Sequence, residues 1–140
     1  MGKSKDIISV EEIREGLGPV LKEDGLQILL LFGSTVSGNK HKKSDIDLAF
    51  LFDRPVDILT LTNKVIRLLH TDNIDVVDLK NASPLMRFSI AKSGILIYEK
   101  EDGVFNGFYS LAFRRYIDTK KIRDAQRLVI RHFLEAKRLL

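Results

Sequence analysis

The 140-residue sequence contains no cysteine, which excludes disulfide bonds and thiolate metal sites. The absence is compatible with a reducing cytosol, and we expect a cytoplasmic protein. The three histidines, His41, His70 and His132, are scattered along the chain, whereas a zinc site needs ligands at close and regular spacing. The sequence therefore predicts neither a disulfide framework nor a zinc centre.

Long apolar runs are also lacking. The longest run lies between Leu26 and Phe32, whereas a membrane-spanning helix needs about 20 apolar residues. Residues 1–6 are polar and carry no apolar signal-peptide core, so we expect neither export nor a membrane partner. The formal net charge is +4, which leaves nucleotides, nucleic acid or an acidic protein open as partners.

The residue patterns predict one α/β domain over residues 1–140. A 44% hydrophobic and 30% charged composition fits a single globular core. The order of elements is helix, strand, strand, helix, strand, helix, strand and a long C-terminal helical segment. The four predicted strands cover residues 26–32, 46–52, 74–79 and 95–98.

Helix starts are indicated by caps and prolines. Ser9-Val10-Glu11-Glu12 has the spacing of a capping box. Ser83-Pro84 predicts a helix by the order of cap and then proline, and the same logic places a helix start at Pro55 after Asp53. From about residue 103 the chain reads as helical to its end, and Asp118-Thr119 predicts a break in that helix.

The pattern with the most chemistry lies between the first two strands. Gly33-Ser34 follows the first apolar run, and Asp45-x-Asp47 opens the second. Because side chains alternate along a strand, Asp45 and Asp47 project from one face. Two adjacent carboxylates repel each other unless a cation lies between them, and hard oxygen ligands suit Mg²⁺, with Mn²⁺ as the alternative.

Asp75 is the candidate for a third carboxylate. It lies near the start of the third strand, which can lie beside the second, and sharing a face with Val77 and Leu79 disfavours a purely solvated surface position. Gly33 would allow close approach of a phosphate, and Ser34 offers a hydroxyl. Each feature alone can be explained without a functional role, because Gly-Ser is a common dipeptide and Asp-x-Asp often ends a loop. Their combination favours metal-assisted nucleotidyl transfer.

The run Leu31-Phe32-Gly33-Ser34, ten residues, then Asp45-Ile46-Asp47-Leu48 resembles the minimal nucleotidyltransferase (MNT) family of the DNA polymerase beta-like superfamily. The strand 74–79 is similar to that family's third-carboxylate strand. The resemblance implies a mixed β-sheet with helices, Mg²⁺ and nucleotide binding. It also implies that Ser34 contacts the triphosphate, that Asp45 and Asp47 bind metal, and that Asp75 completes the triad.

One position departs from the family pattern. The family often has Arg where this chain has Ser37, so the cation that would contact the triphosphate is missing from its usual place. Lys40, Lys42 or Lys43 could substitute for it, and we select Lys43 as the nucleotide-binding candidate. The alternative is that these lysines only solvate the loop.

MNT proteins of this size resemble the antitoxin half of HEPN/MNT toxin–antitoxin pairs. That resemblance implies transfer of AMP from ATP to a tyrosine of a HEPN ribonuclease partner, which silences it. Two alternatives stay open: a weak or inactive module that only covers the toxin, and a nucleotidyltransferase for a small hydroxyl compound such as an aminoglycoside. The modest charge disfavours direct nucleic-acid binding.

The C-terminal region, residues 103–140, is the predicted partner-binding part. Apolar residues recur there at helical spacing: Ile122, Ala125, Val129, His132, Phe133, Ala136 and Leu140. Before Asp118 we expect such residues to lie in the core. Beyond it the helix would extend past a small sheet, which favours a protein partner, or self-association when the chain is alone.

Overall fold

The computed structural model describes residues 8–33 and 46–138, and those residues contain a four-stranded mixed sheet. Its strands are β1 (Leu26–Phe32), β2 (Ile46–Phe52), β3 (Ile74–Asp78) and β4 (Ile95–Glu99). Their spatial order is β3-β2-β1-β4. β2 and β3 are parallel, whereas β1 is antiparallel to both β2 and β4. The predicted mixed sheet of four strands is confirmed.

The helices surround this sheet and account for the remaining regular structure. They are α1 (Val10–Gly16), α2 (Gly18–Leu21), α3 (Ile58–Leu69), α4 (Pro84–Ser93) and α5 (Val104–Ala136), and one 3₁₀ turn covers Leu79–Asn81. Two of the predicted starts are confirmed. The amide of Glu12 donates to the Ser9 hydroxyl and the amide of Ser9 donates to the Glu12 carboxylate. Ser83 caps α4, with Pro84 in its first turn.

Two predicted helix boundaries are wrong, and the third strand ends at Asp78 rather than at residue 79. α3 begins at Ile58 rather than at Pro55, because the carboxylate of Asp57 accepts from the first free amides of that helix. α5 is continuous over 33 residues rather than broken at Asp118-Thr119. Its continuity has a local reason: the hydroxyl of Thr119 donates to the carbonyl of Arg115 at 2.9 Å, which keeps this polar side chain compatible with a helix interior.

The hydrophobic core occupies both faces of the sheet. One face packs against α1 and α3, with Ile13, Leu48, Phe50 and Val65 fully buried. The other face packs against α4 and α5 through a cluster that includes Ile28, Leu30, Ala49, Leu79 and Ile90. Alternate residues of β2 therefore enter different cores, as the period of a strand requires. Within the described ranges, no helix is long and apolar enough to cross a membrane.

Candidate active site at one edge of the sheet

Three strands bring their ends together in one row. Phe32, at the end of β1, is the register partner of Asp47 in β2, and Asp47 is the register partner of Asp75 in β3. Neighbouring strands lie about 4.8 Å apart, and register partners project from the same face. The sheet therefore places the carboxylates of Asp47 and Asp75 side by side, on the face that also carries Ala49 and Val77.

Gly33 completes this row and has a role that the sequence did not reveal. Its φ angle is +88°, and a Cβ atom built on it would lie 1.9 Å from Oδ2 of Asp47 and 3.2 Å from the Cβ of Asp47. Any larger residue would displace the carboxylate and would also be strained by the positive φ. Gly33 thus fixes where the Asp47 side chain can lie, in addition to ending β1.

The two acids differ in exposure. Asp47 is half-buried at the start of β2, whereas Asp75 is exposed at the start of the edge strand β3. The expectation that sharing a face with Val77 and Leu79 disfavours a solvated position for Asp75 is wrong. β3 ends at Asp78, Leu79 belongs to the 3₁₀ turn, and Asp75 is exposed on this edge strand. The register that pairs Asp75 with Asp47 still holds.

The turn before β3 fixes the starts of β2 and β3 relative to each other. The amide of Ile46 donates to the carbonyl of Asn73 at 2.8 Å, and the amide of Asn73 donates to the hydroxyl of Thr71 at 3.3 Å. These bonds lie directly beside the row, since Ile46 precedes Asp47 and Ile74 precedes Asp75. Together with the ladder they hold the two carboxylates on a rigid part of the sheet.

Gly94, directly after α4, supports the same edge. A Cβ at Gly94 would lie 2.7 Å from the carbonyl oxygen of Ile90 and 3.2 Å from that of Leu31. The chain must pass this closely to bring Ile95 into register with Leu31. No local sequence signal identifies such a long-range contact, apart from the glycine itself.

Asp78 lies in the same strand as Asp75 and has a structural task. Its carboxylate accepts from the amide of Lys80 at 3.1 Å and from the Asn81 side chain at 2.8 Å, and so caps the 3₁₀ turn. Arg87 of α4 donates to the backbone carbonyl of Leu79 at 2.8 Å. Burial lowers the pKa of Arg87, and the nearby positive charge of Arg115 lowers it further. These groups fix α4 to the end of β3 remote from Asp75.

Several predicted site residues lie outside the described residues. They are Ser34, Ser37, Lys40, Lys42, Lys43 and Asp45. In the described part of the chain, no group of three or more acids, histidines or cysteines is placed to hold a metal ion. Of the predicted triad, the structure therefore brings together Asp47 and Asp75, and Asp45 adjoins the first residue of β2.

A separate cavity of about 200 Å³ lies at the opposite end of β2. Phe52, Asp57 and Lys64 are among its lining residues, and the ammonium of Lys64 is paired with the carboxylate of Glu23. Phe52 is the last residue of β2, whereas Asp47 is near its first. The cavity is therefore remote from the carboxylate row.

A family model and two named proteins are similar to this chain in sequence. A family model described as polymerase beta, nucleotidyltransferase matches residues 15–103. The chain is 29% identical over 142 aligned residues to protein adenylyltransferase MntA of Aphanizomenon flos-aquae, covering 92% of this chain and 95% of that protein. It is 33% identical over 85 residues to the protein of the same name from Shewanella oneidensis, covering 57% and 60%.

A solved structure gives the same result at the level of the fold. A chain of a crystal structure of a toxin–antitoxin complex with AMP-PNP superposes with a TM-score of 0.73 at 25% sequence identity. The superposition covers 88% of this chain and 98% of the other. The family match ends at residue 103, directly before α5 begins at Val104, so the sheet and the carboxylate row lie within the matched region and α5 lies beyond it.

Proposed function

This chain belongs to the polymerase beta nucleotidyltransferase family, and from that premise we propose that it is a Mg²⁺-dependent protein adenylyltransferase acting as an antitoxin. Its acceptor is a tyrosine hydroxyl of a HEPN ribonuclease toxin, and its donor is ATP. The observation that carries the chemistry is the row in which Asp47 and Asp75 are register partners beside Gly33.

The donor set fits a hard divalent cation. Asp47 and Asp75 offer carboxylate oxygens from adjacent strands, and Asp45 would add a third carboxylate from the residue before β2. Like charges held this close favour a bound cation, and oxygen ligands suit Mg²⁺, with Mn²⁺ as the alternative. When bound, the ion neutralises phosphate charge and lowers the pKa of the attacking hydroxyl.

Residues of the chain have separate roles in the transfer of AMP. The tyrosine oxygen attacks the α-phosphorus of ATP and forms a new P–O bond. The bond between the α-phosphorus and the bridging oxygen breaks, and pyrophosphate leaves with that electron pair. Asp75 accepts the hydroxyl proton, and its exposure on the edge strand lets an acceptor as large as a protein reach it. Ser34 and Lys43, with the backbone at Gly33, contact the triphosphate.

The choice of ATP and of a protein acceptor is supported by the relatives. Two similar proteins are named protein adenylyltransferases, and the similar toxin–antitoxin structure contains AMP-PNP, an ATP analogue. A small-hydroxyl acceptor such as an aminoglycoside would need an added substrate domain. Among residues 46–138, the elements beyond the sheet are helices that pack on it or project from it. We place the reaction in the cytoplasm, because a chain without cysteine is compatible with a reducing compartment.

One observation favours a second candidate function. Ser37 stands where the family often has an arginine for the triphosphate, so catalysis could be weak in this chain. A module of this kind would neutralise the toxin by covering it, without transfer of AMP. The two candidates make opposite predictions for the covalent state of the toxin.

The experiment incubates the protein with ATP, Mg²⁺ and the product of the adjacent gene, as the candidate HEPN partner, and then measures the intact mass of that product. We expect a gain of one or more AMP units on tyrosine, which disappears in Asp45→Asn and Asp47→Asn. Tight binding without any gain in mass would contradict the enzyme and support the covering module.

A further inference from the structure

The last part of α5 leaves several large apolar side chains exposed to solvent. We define the distal segment as residues 119–138, about 30 Å of helix at 1.5 Å per residue. Five large apolar side chains in it are between 53% and 67% exposed: Ile122, Leu128, Val129, Ile130 and Phe133. The first part of α5 is packed on the body of the protein, with Ala112 buried and Phe105 and Phe108 against the second core.

The junction between these two parts of α5 is well defined. The ring of Tyr116 stacks on that of Phe88 of α4, with ring centroids 4.6 Å apart. The guanidinium of Arg123 lies 5.2 Å from the centroid of Tyr116 and also donates to the hydroxyl of Thr119 at 3.0 Å. The stacking of Tyr116 on Phe88 anchors α5 to α4, whereas both contacts of Arg123 lie within α5 itself. The rest of the helix projects from the anchor at Tyr116.

The exposed apolar residues form one continuous stripe. Its spacing of three and four residues places them on one side of the helix: Ile122, Ala125, Val129, Phe133 and Ala136, all of them exposed. Leu128 and Ile130 flank the stripe on its two sides. A contiguous apolar surface of this kind is typical of a docking site on a soluble protein.

Charge separates the distal segment from the remainder of the chain. The segment contains seven Lys and Arg residues against two acids, a net charge of +5. The other 120 residues contain 16 Lys and Arg against 17 acids, a net charge of −1. The whole positive excess of the protein therefore lies on the projecting helix, where it would attract an acidic partner.

We infer that the distal segment is a docking helix for an apolar groove with an acidic rim on a partner protein. Lys121 and Lys137 flank the stripe and would face that rim, while the stripe fills the groove in the helix-in-groove manner. A second copy of this chain fits less well, because two segments of charge +5 repel each other. Nucleic acid fits the charge but offers no aliphatic groove for Val129 and Phe133.

The location of this surface supports the inference independently. The family match covers the sheet with the carboxylate row and ends at residue 103, so the docking helix lies outside the part of the chain that the family model matches. This inference rests on the proposed function only for the identity of the partner, which is then the HEPN toxin. The apolar floor and acidic rim expected of the partner's groove are inferred from the residues of the distal segment alone.

The test compares two variants of the full-length protein in binding to the HEPN partner, measured by titration calorimetry at low and high salt. Val129→Ser/Phe133→Ser removes the centre of the stripe without a large change in helix propensity. Leu59→Ser is the matched control, because Leu59 is 70% exposed on α3, remote from α5. We expect the stripe variant to raise Kd by about 30-fold or more and the control by less than about 3-fold.

We also expect Kd of the unaltered protein to rise with salt, as an acidic rim requires. The inference is overturned if the stripe variant and the control bind equally well. It is also overturned if the stripe variant loses self-association but binds the HEPN partner normally. A further contradicting result is salt-dependent binding of an RNA oligonucleotide, together with a Kd for the HEPN partner that is unchanged in the stripe variant. Failure of AMP transfer by a complex that still depends on Val129 and Phe133 would contradict the proposed function and leave the docking helix standing.

Discussion

The body of the protein and the distal segment of α5 use apolar residues in opposite ways. In the body, Leu29, Leu48 and Phe50 are 0% exposed and hold the sheet between two helical layers. In the distal segment, Val129 and Phe133 are 67% and 56% exposed. Burial in the body stabilises the fold and positions the carboxylates, whereas exposure on the helix leaves binding energy available for a partner. The two proposals thus locate chemistry and recognition in different parts of one small chain.

The largest effect is expected from the carboxylate row. Asp47→Asn should lower the rate of AMP transfer by about 10³-fold, because it removes a charge that is proposed to hold the metal. The thermal unfolding midpoint should change little. Asp78→Asn is the matched control, since Asp78 caps a turn remote from Asp75, and it should transfer AMP at nearly the normal rate. Equal rates in Asp47→Asn and in the unaltered protein would remove Asp47 from the site.

The contact between Gly33 and Asp47 gives the next largest effect. Gly33→Ala should lower the rate of AMP transfer by about 10²-fold, because the added Cβ must move the carboxylate by about 1 Å or more. Gly103→Ala is a close control: Gly103 also has a positive φ, of +96°, but no atom lies within 4 Å of its added Cβ. Rates measured for both variants separate loss of carboxylate position from backbone strain, and equal losses would show that strain alone matters.

Stability should distinguish the two regions in the same way. Leu29→Ala should lower the free energy of unfolding by about 2–5 kcal/mol, because it leaves a cavity in a packed core. Val129→Ala should change it by less than about 0.5 kcal/mol, since that side chain is exposed. Urea unfolding of the isolated protein measures both values. A loss of several kcal/mol in Val129→Ala would mean that the distal segment packs on the body in solution.

A smaller effect concerns pH and the cap of α3. Hydrogen bonds from Thr60 and Leu59 hold the pKa of Asp57 below its usual value of 3.8. The ionised cap therefore contributes stability above the pKa of the unfolded chain, and the contribution disappears as pH falls through the lower folded pKa. Asp57→Asn keeps an acceptor for the amides and does not titrate. Its unfolding midpoint should fall less steeply below pH 4 than that of the unaltered protein, and parallel acid curves would contradict this.

Local signals were sufficient for most of the fold. The capping box at Ser9 and the cap at Ser83 predicted two helix starts, because the atoms involved lie within three residues. The predicted start of α3 was wrong because two acids, Asp53 and Asp57, precede Ile58. The proline at position 55 favoured Asp53 as the cap, whereas the structure has Asp57 in that role. The expected break in α5 was wrong because the Thr119 hydroxyl bonds within the helix, an alternative that residue type alone does not decide.

The residues of the candidate site were predictable from the sequence, but their arrangement in space was predictable only in part. Periodicity indicated that Asp75 lies near the start of one strand and that Asp47 lies near the start of another. Their register, and the contact of Gly33 with Asp47, depend on strand pairing between residues distant in sequence. The roles of Ser34, Lys43 and Asp45, and the extent of a single domain over residues 1–140, stay predictions.

The most direct test of the division between chemistry and recognition is a steady-state measurement of AMP transfer as a function of HEPN partner concentration. For Asp47→Asn we predict a fall in kcat of about 10³-fold with the partner still bound normally. For Val129→Ser/Phe133→Ser we predict a rise in KM for the partner of about 30-fold, with kcat recovered at saturation. A fall in kcat without a change in KM in the stripe variant, or full activity in Asp47→Asn, would contradict it.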